Sequence, residues 1–355
     1  MTKTSHRIID GHTAAAQYLY VPDKLPGYKF IADNAEAAVD LPKLREGNVK
    51  AGFFAIFNPP MRSEVISDAA TYRAIGFRLP PLPSLPHARA QQQAIEGMVE
   101  LLRLEKNPDS QLSIIRSLND LIRCLNSDET GIIVHLEGAE AIDAKLNALE
   151  VFYQSGLRSL GITWSRPNIF GHGVPFKFPS SPDTGPGLTE LGQKLVRRCN
   201  EMGIMLDLAH LNQKGFWEVA TISEAPLVST HTAVHSLCES SRNLTDAQID
   251  AVGSSGGLIG ITFYVGDLRE DGEENPDTPI SRIVDHIEYV AERIGVDHVA
   301  LGSDFDGAMM PKDLYKASLL PRLISELEIC GFSEEDIEKI CHKNWIRVLY
   351  HTWKE

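Results

Sequence analysis

The sequence contains no run of about 18 apolar residues, the length that a membrane-spanning helix requires. Its first residues, MTKTSHRIIDGH, lead directly into a predicted strand, without the apolar segment of a secretory signal. We therefore predict a cytoplasmic protein that has no membrane partner.

Cysteine is also scarce. The chain has five cysteines, Cys124, Cys199, Cys238, Cys330 and Cys341, and no two of them form a CxxC pair. An odd number without paired spacing argues against a disulfide framework and against a thiolate zinc site. We expect buried free thiols.

The chain has fewer positively charged residues than negatively charged ones. The sequence holds 34 Lys and Arg against 48 Asp and Glu, a formal net charge of -14. This excess of anions repels nucleic acid phosphates and anionic lipids, which argues against both as partners. A small-molecule substrate remains compatible with this charge.

What the chain does have is a regular alternation of short apolar segments and amphipathic helical stretches. The apolar segments lie near residues 7–11, 51–57, 131–136, 156–163, 203–209, 226–230, 257–263 and 298–303. Eight strands in this alternation predict an α/β fold, a (β/α)8 TIM barrel that forms one domain over residues 1–355. Two irregular insertions, near 58–90 and 166–187, follow strands, so we expect them to lie over the barrel mouth.

Metal-binding residue types follow five of these segments: His12, Glu137, His210, His231 and Asp304. Because the carboxyl ends of parallel barrel strands meet at one face, these side chains are expected to converge. A catalytic zinc needs about three imidazole or carboxylate ligands and one open position, a set that Glu137, His210 and His231 supply. A carboxylate such as Asp304 can then move the protons of a hydrolysis.

The segment Asp10-Gly11-His12-Thr13-Ala14 is unusual for such a site. Residues two apart in a strand share a face, so Asp10, His12 and Ala14 are expected to point the same way. A histidine and a carboxylate two residues later commonly bind a metal together. Two residues after His12 this chain has Ala14, whose methyl group cannot bind a metal. The sequence therefore predicts a real but incomplete site.

Several ordered segments together resemble the membrane (renal) dipeptidase family of the amidohydrolase superfamily, over nearly the whole chain. They are IIDGH, HLEGAEAI, GIMLDLAHLNQKGFWEVA, PLVSTHTAVHSLCESSRNLTDAQID, GGLIGITFY, DHVALGSDFDGA and GFSEEDIEKICHKNWIRVL. The resemblance implies a (β/α)8 barrel with a binuclear zinc site that hydrolyses dipeptides, often with a D-residue at the C-terminal position.

The resemblance also implies roles for individual residues. Glu137 matches the carboxylate that bridges the two metals, while His210 and His231 match ligands of the second metal. His12 matches a ligand of the first metal, and Asp304 matches the catalytic acid and base.

Arg242 in SSRNLTD matches the residue that pairs with the substrate carboxylate, a role that suits a planar guanidinium, and Tyr264 matches a pocket tyrosine.

The chain departs from the family at two positions. Ala14 stands where the family has aspartate, so the first metal loses a ligand. Trp164 stands in the substrate pocket where the family has a histidine that polarises the scissile carbonyl. His172, in the second insertion, is one candidate replacement.

We therefore expect a zinc-dependent, dipeptidase-like hydrolase in which metal-activated water cleaves a dipeptide or related amide. One zinc should be firmly bound, and the second weak or absent. Two alternatives remain open because of Ala14 and Trp164. One is a metal-dependent enzyme of secondary or degradative metabolism that acts on a non-peptide C–N bond or catalyses an elimination. The other is a weakly active or non-catalytic homologue. A homodimer also remains open.

Overall fold

A nearly closed barrel of parallel strands forms the centre of the molecule, in a computed structural model that describes residues 6–60 and 74–354. The strands are β1 (Ile8–Thr13), β2 (Val49–Phe57), β3 (Leu112–Ile114), β4 (Thr130–Glu137), β5 (Leu157–Gly161), β6 (Met205–Asp207), β7 (Val228–Thr232), β8 (Leu258–Ile261) and β9 (Val299–Leu301). Eight of them follow the order β1-β2-β4-β5-β6-β7-β8-β9 around the barrel, and the short β3 pairs with β4 outside this path. The predicted (β/α)8 barrel is confirmed.

Helices alternate with the strands and surround the barrel. The α-helices of the described ranges are α1 (Gln17–Tyr20), α2 (Leu41–Glu46), α3 (His87–Lys106), α4 (Leu118–Leu125), α5 (Asn147–Ser155), α6 (Glu190–Met202), α7 (Gln213–Ile222), α8 (Asp246–Ser254), α9 (Val265–Leu268), α10 (Ser281–Ile294), α11 (Leu320–Ile329), α12 (Glu334–Glu338) and α13 (Asn344–Thr352). A π-helical turn, Lys339–Lys343, joins α12 to α13, and 3-10 turns lie at Pro22–Lys24, Val296–His298, Lys312–Leu314 and Ala317–Leu319. Among these described helices, none combines the length and the apolar character needed to cross a bilayer.

The barrel strands are buried on both faces, as expected for a parallel sheet covered by helices. One cluster of apolar residues joins the outer face of the sheet to the helices. A second cluster includes Ile9, Phe53, Ile133, Val228 and the fully buried Trp345 of α13. Ile9, Ile133 and Val228 precede His12, Glu137 and His231 along their strands, so this apolar cluster lies below the predicted ligands at the barrel mouth.

Asp10 ties the two ends of the sheet together. Its carboxylate accepts hydrogen bonds from Ser303 N at 2.8 Å and Ser303 Oγ at 2.6 Å. A parallel bridge between Thr13 and Phe305 lies beside it. The sequence predicted that side chains would alternate between the two faces of the strand from Asp10 onward. The pairing of β1 with β2 instead has a register shift between Asp10 and Thr13. Asp10 therefore hydrogen-bonds across the barrel closure, and the residues after it lie at the barrel mouth.

Two further expectations can be compared with the structure. Cys124, Cys199, Cys238 and Cys341 are buried free thiols, but Cys330 is exposed, so the expectation of burial was wrong for Cys330, which follows the last turn of α11. Of the predicted insertion near 58–90, residues 61–73 lie outside the described residues. The last residues of the predicted insertion, 87–90, already belong to α3.

Candidate metal centre

The structure places all five predicted metal-type residues at the carboxyl ends of barrel strands. His12 and His231 lie in the last residues of β1 and β7, and Glu137 is the last residue of β4. His210 and Asp304 lie in the loops after β6 and β9, where their backbones adopt left-handed conformations with φ of 65° and 62°. These turns bring both side chains back over the barrel mouth.

Glu137, His210 and His231 form a compact triangle of ligand atoms. Glu137 Oε1 lies 2.9 Å from His210 Nε2 and 3.5 Å from His231 Nε2, and the two nitrogens are 3.0 Å apart. In a tetrahedral zinc site with bonds of 2.0–2.1 Å, ligand atoms are separated by about 3.3 Å. The donor set and its spacing therefore fit a single ion of the size and ligand preference of zinc.

Hydrogen bonds to the far nitrogens orient two of these histidines. Thr230 Oγ1 donates to Asp207 Oδ2 at 2.7 Å, so it is free to accept the Nδ1 proton of His231 at 2.9 Å. Ser165 Oγ lies 2.7 Å from His210 Nδ1, where it can do the same. A proton on Nδ1 leaves Nε2 with the lone pair that a metal requires, and such partners are typical of metal-binding histidines.

His12 is less well placed and less well oriented for metal binding than the other two histidines. Its Nε2 lies 3.7 Å from Glu137 Oε1 and 3.9 Å from Asp304 Oδ1, wider than the triangle. Its Nδ1 is buried, with no hydrogen-bond partner among the described residues. Although His12, Glu137 and His231 are close enough to share an ion, the ring of His12 lacks the orienting partner that its neighbours have.

A second buried cluster shares His12. It also contains His135 and Asp207, and its ligand atoms lie within 4.8 Å of one another. His135 Nδ1 is held by Ser159 Oγ at 2.8 Å, while its Nε2 lies 3.5 Å from Asp207 Oδ2. His135 thus packs beside the ligand set and not within the compact triangle.

Burial sets the electrostatics of the site. It lowers the pKa of His12, His210 and His231 well below the usual value, with further lowering by neighbouring cations. Burial, followed by the charge of Asp304, raises the pKa of Glu137 well above its usual range. Burial also raises the pKa of Asp304 to about 7. Neutral imidazoles are the form that binds metals.

A cavity of about 800 Å³ opens beside these residues. Ala14, Trp164, Arg242 and Tyr264 all line it, together with Glu137, His210 and Asp304. Ala14 thus lies at the cavity beside the candidate ligands, with a methyl group as its side chain.

Arg242 is 6% exposed and lies next to the triangle. Its Nη2 donates to His231 O at 3.3 Å and lies 3.3 Å from His210 Nε2. Tyr264 stands on another wall of the cavity, where its hydroxyl donates to Glu274 Oε1 at 2.7 Å. The cavity therefore contains a nearly buried guanidinium close to the candidate metal centre.

Arg78 was not among the predicted site residues. It pairs with Asp267 at 2.9 Å and donates to the backbone oxygens of Gly266 and Gly272 at 2.6 and 2.9 Å. It therefore fastens the first insertion to α9 and to the loop that follows it, and both Arg78 and Asp267 line the cavity. No local motif marks Arg78, because its partners lie about half the chain length away.

Asp306 was also missed. Its carboxylate accepts hydrogen bonds from Ala38 N at 2.7 Å and Val39 N at 2.9 Å, and from the hydroxyl of Tyr18 at 3.3 Å. It pins the loop before α2 against the mouth of the barrel. The repeated aspartate in DFDG was a visible signal, but nothing in the sequence showed what Asp306 would bind.

His172 does not replace the missing histidine. Its Nδ1 lies 3.1 Å from Gly187 O, within the second insertion. It is not among the described residues that line the cavity. Trp164 therefore stands at that position without a nearby substitute from His172.

Comparisons with known proteins agree with this geometry. A model of the membrane dipeptidase family (peptidase family M19) matches residues 2–354. An uncharacterized Klebsiella pneumoniae protein in the 5′ region of pqqA is 42% identical over 72% of this chain and 94% of its own length. Dipeptidase tcpJ of Claviceps purpurea is 26% identical over 95% of this chain and 74% of its own length.

A solved structure is similar as well. A metallopeptidase from Rhodobacter sphaeroides, liganded with a phosphinate mimic of the dipeptide L-Ala-D-Ala, is 40% identical with a TM-score of 0.93. The match covers 99% of this chain and 100% of that chain.

Proposed function

The chain belongs to the membrane dipeptidase family, peptidase family M19, and on that premise we propose that it is a zinc-dependent dipeptidase that accepts a C-terminal D-residue. One zinc is firmly held by Glu137, His210 and His231, and a second is weak or absent. That the protein is a dipeptidase-like metallohydrolase follows from the family and from its metallopeptidase neighbours.

The observation that carries the proposal is the compact triangle beside a cavity that holds Arg242. Imidazole and carboxylate ligands suit zinc, and the spacing of 2.9 to 3.5 Å fits one ion. Bound there, zinc would polarise the scissile carbonyl and lower the pKa of the attacking water. The weaker support around His12 and the methyl group of Ala14 favour a single firm site.

The chain's own residues supply binding and proton transfer. Arg242 pairs with the C-terminal carboxylate of the dipeptide and so fixes the register of the peptide bond. Asp304 keeps 18% of its side chain exposed at the cavity. It accepts a proton from the attacking water and returns it to the amide nitrogen as the C–N bond breaks, which releases a free amine and a carboxylate.

Acceptance of a C-terminal D-residue rests on the Rhodobacter sphaeroides relative, whose ligand mimics L-Ala-D-Ala. A second candidate is hydrolysis of a non-peptide amide. It is favoured by Trp164, whose indole lines the cavity where the family has a histidine that contacts the scissile carbonyl.

Amino acid release and metal content test the proposal together. Purified protein, dialysed and then assayed with zinc, should cleave L,L- and L,D-dipeptides faster than N-acyl amino acids, and should retain about one zinc per chain. Cleavage of N-acyl amino acids alone would favour the second candidate. Two tightly held metals after extensive dialysis would contradict the single firm site.

A further inference from the structure

Three aromatic rings line one part of the cavity. The ring centroid of Trp164 lies 6.0 Å from that of Phe57 and 5.5 Å from that of Phe176. Trp164 and Phe176 also flank the ring of His210, at 5.7 and 5.8 Å. We call Phe57, Trp164 and Phe176 the aromatic wall. It begins directly beside a predicted metal ligand.

The strand order places the strands that carry Phe57 and Trp164 across the barrel from those that lead to Arg242 and Asp304, although Arg242 Nη2 reaches to 3.3 Å from His210 Nε2. Phe57 ends β2 and Trp164 follows β5, on either side of Glu137 on β4. Among the eight barrel strands, β2 stands opposite β7, which leads to Arg242, and β5 stands opposite β9, which leads to Asp304. By this strand order the aromatic wall faces the strands that lead to Arg242 and Asp304, while Tyr18, Lys24 and Tyr264 also line the cavity.

The aromatic wall is fixed by the structure behind it. The guanidinium of the buried Arg166 lies 5.2 Å from the Trp164 ring and donates to Asn58 O at 3.2 Å. Such a cation–π contact supports the face of the indole. In the second insertion, the chain passes so close that a Cβ on Gly173 would lie 1.8 Å from Trp164 O.

The same segment places Phe176. Val174 N donates to His210 O at 2.7 Å, two residues before Phe176. The second insertion is thus hydrogen-bonded to the backbone of His210, a predicted ligand. This contact also fixes the position of the Phe176 ring. A wall held in this way is present before substrate binds, which lowers the entropy lost on binding.

We propose that the aromatic wall binds a large aromatic side chain on the N-terminal residue of the substrate, so the enzyme prefers dipeptides such as Phe-Xaa over Ala-Xaa. The inference rests on the proposed function, because Arg242 must take the C-terminal carboxylate. The scissile carbonyl then lies at the ligand triangle, and the N-terminal side chain extends toward the opposite half of the mouth. A cavity of about 800 Å³ lies in the upper part of the range of ligand pockets, about 300–1,000 Å³, and so has room for a bulky residue.

Matched dipeptides and inhibitors provide the test. We would measure kcat/KM for L-Phe-D-Ala, L-Ala-D-Ala and L-Glu-D-Ala, and Kd for phosphinate mimics of the same three by calorimetry. The Phe substrate should be preferred over the Ala substrate by about 10- to 100-fold, because its ring leaves water completely. The Glu substrate should also be cleaved less well than the Phe substrate, because its carboxylate would leave water to meet aromatic rings. Lys24 Nζ, 5.5 Å from the Phe57 ring centroid, already donates to Gln17 Oε1.

Variants assign the preference to the wall. Trp164→Ala and Phe176→Leu should each reduce the Phe-to-Ala ratio, in both kcat/KM and Kd, while Trp164→Phe should largely retain it. Tyr350→Ala, at an exposed position of α13, is the matched control and should leave both ratios unchanged. A common decrease in turnover would not alter these ratios, so the test does not depend on full activity.

Two results would overturn the inference: equal kcat/KM for all three dipeptides in the unmodified protein, or a full Phe preference in both Trp164→Ala and Phe176→Leu. Failure to cleave or bind any of the three compounds is a different result. It would refute the proposed function itself, and this inference with it.

Discussion

Replacing Thr230 with valine should weaken metal binding, although Thr230 is not a predicted ligand. Its hydroxyl donates to Asp207 Oδ2 and accepts the Nδ1 proton of His231. Valine has nearly the same shape but no hydroxyl. The Nδ1 proton then has no acceptor, and the tautomer that protonates Nε2, the atom facing Glu137, is no longer disfavoured.

The expected loss follows from the two hydrogen bonds. Removing the partner of a metal-binding histidine typically lowers metal affinity by about 10- to 100-fold, which corresponds to about 1.4 to 2.8 kcal/mol. The fold should lose about 1 to 3 kcal/mol, because the buried Asp207 Oδ2 loses a donor. Zinc Kd is measured by competition with a chromophoric chelator on dialysed protein, and the free energy of unfolding by urea titration.

Ser159→Ala provides a matched control. Ser159 Oγ is also buried and hydrogen-bonded to a histidine, His135, but that histidine lies outside the ligand triangle. This variant should lose stability while zinc Kd stays near that of the unmodified protein. The reasoning would be refuted if Thr230→Val kept the original Kd, or if Ser159→Ala weakened zinc binding equally.

Three further variants test individual site residues. Ala14→Asp should raise tightly bound metal from about one to about two per chain, as measured by elemental analysis after dialysis; unchanged metal content would count against the assignment of Ala14. Asp304→Asn should keep the firmly bound metal but lower kcat by about 10² to 10⁴, and near-normal turnover would exclude it as the acid and base. Arg242→Ala should raise KM more than it lowers kcat, with a loss in kcat/KM worth about 2 to 5 kcal/mol; an unchanged KM for dipeptides would place the carboxylate elsewhere.

The barrel could be predicted from sequence because each apolar segment overlaps one barrel strand and a helical stretch comes before the next segment. Boundaries were less exact where apolar residues continue beyond the strand. The segment predicted at 203–209 contains β6, which ends at Asp207, because Leu208 and Ala209 are buried in the following loop. The strand β3 is three residues long, too short to show any periodicity.

The placement of the candidate ligands at the barrel mouth could be predicted for a related reason: their positions relative to the strands are local features of the sequence. The aromatic wall and the contacts of Arg78 with Asp267, Gly266 and Gly272 could not be predicted from the sequence. Phe176 reaches the cavity only because the second insertion is hydrogen-bonded to His210 O through Val174. Arg78 meets Asp267 across 189 positions of sequence, and no local pattern records such a pairing.

The left-handed backbones at the mouth place function and stability in opposition. His210, Asp304 and Asp306 all have φ between 62° and 65°, a conformation that costs an ordinary L-residue about 1 to 2 kcal/mol and glycine almost nothing. Glycine would relieve this backbone strain at His210 and Asp304 but would remove an imidazole or a carboxylate from the site. At Asp306 it would also remove the acceptor of three hydrogen bonds, which offsets the relief. Selection for heat resistance alone would therefore favour glycine at His210 and Asp304, and a descendant that had lost both side chains would be more stable but inactive.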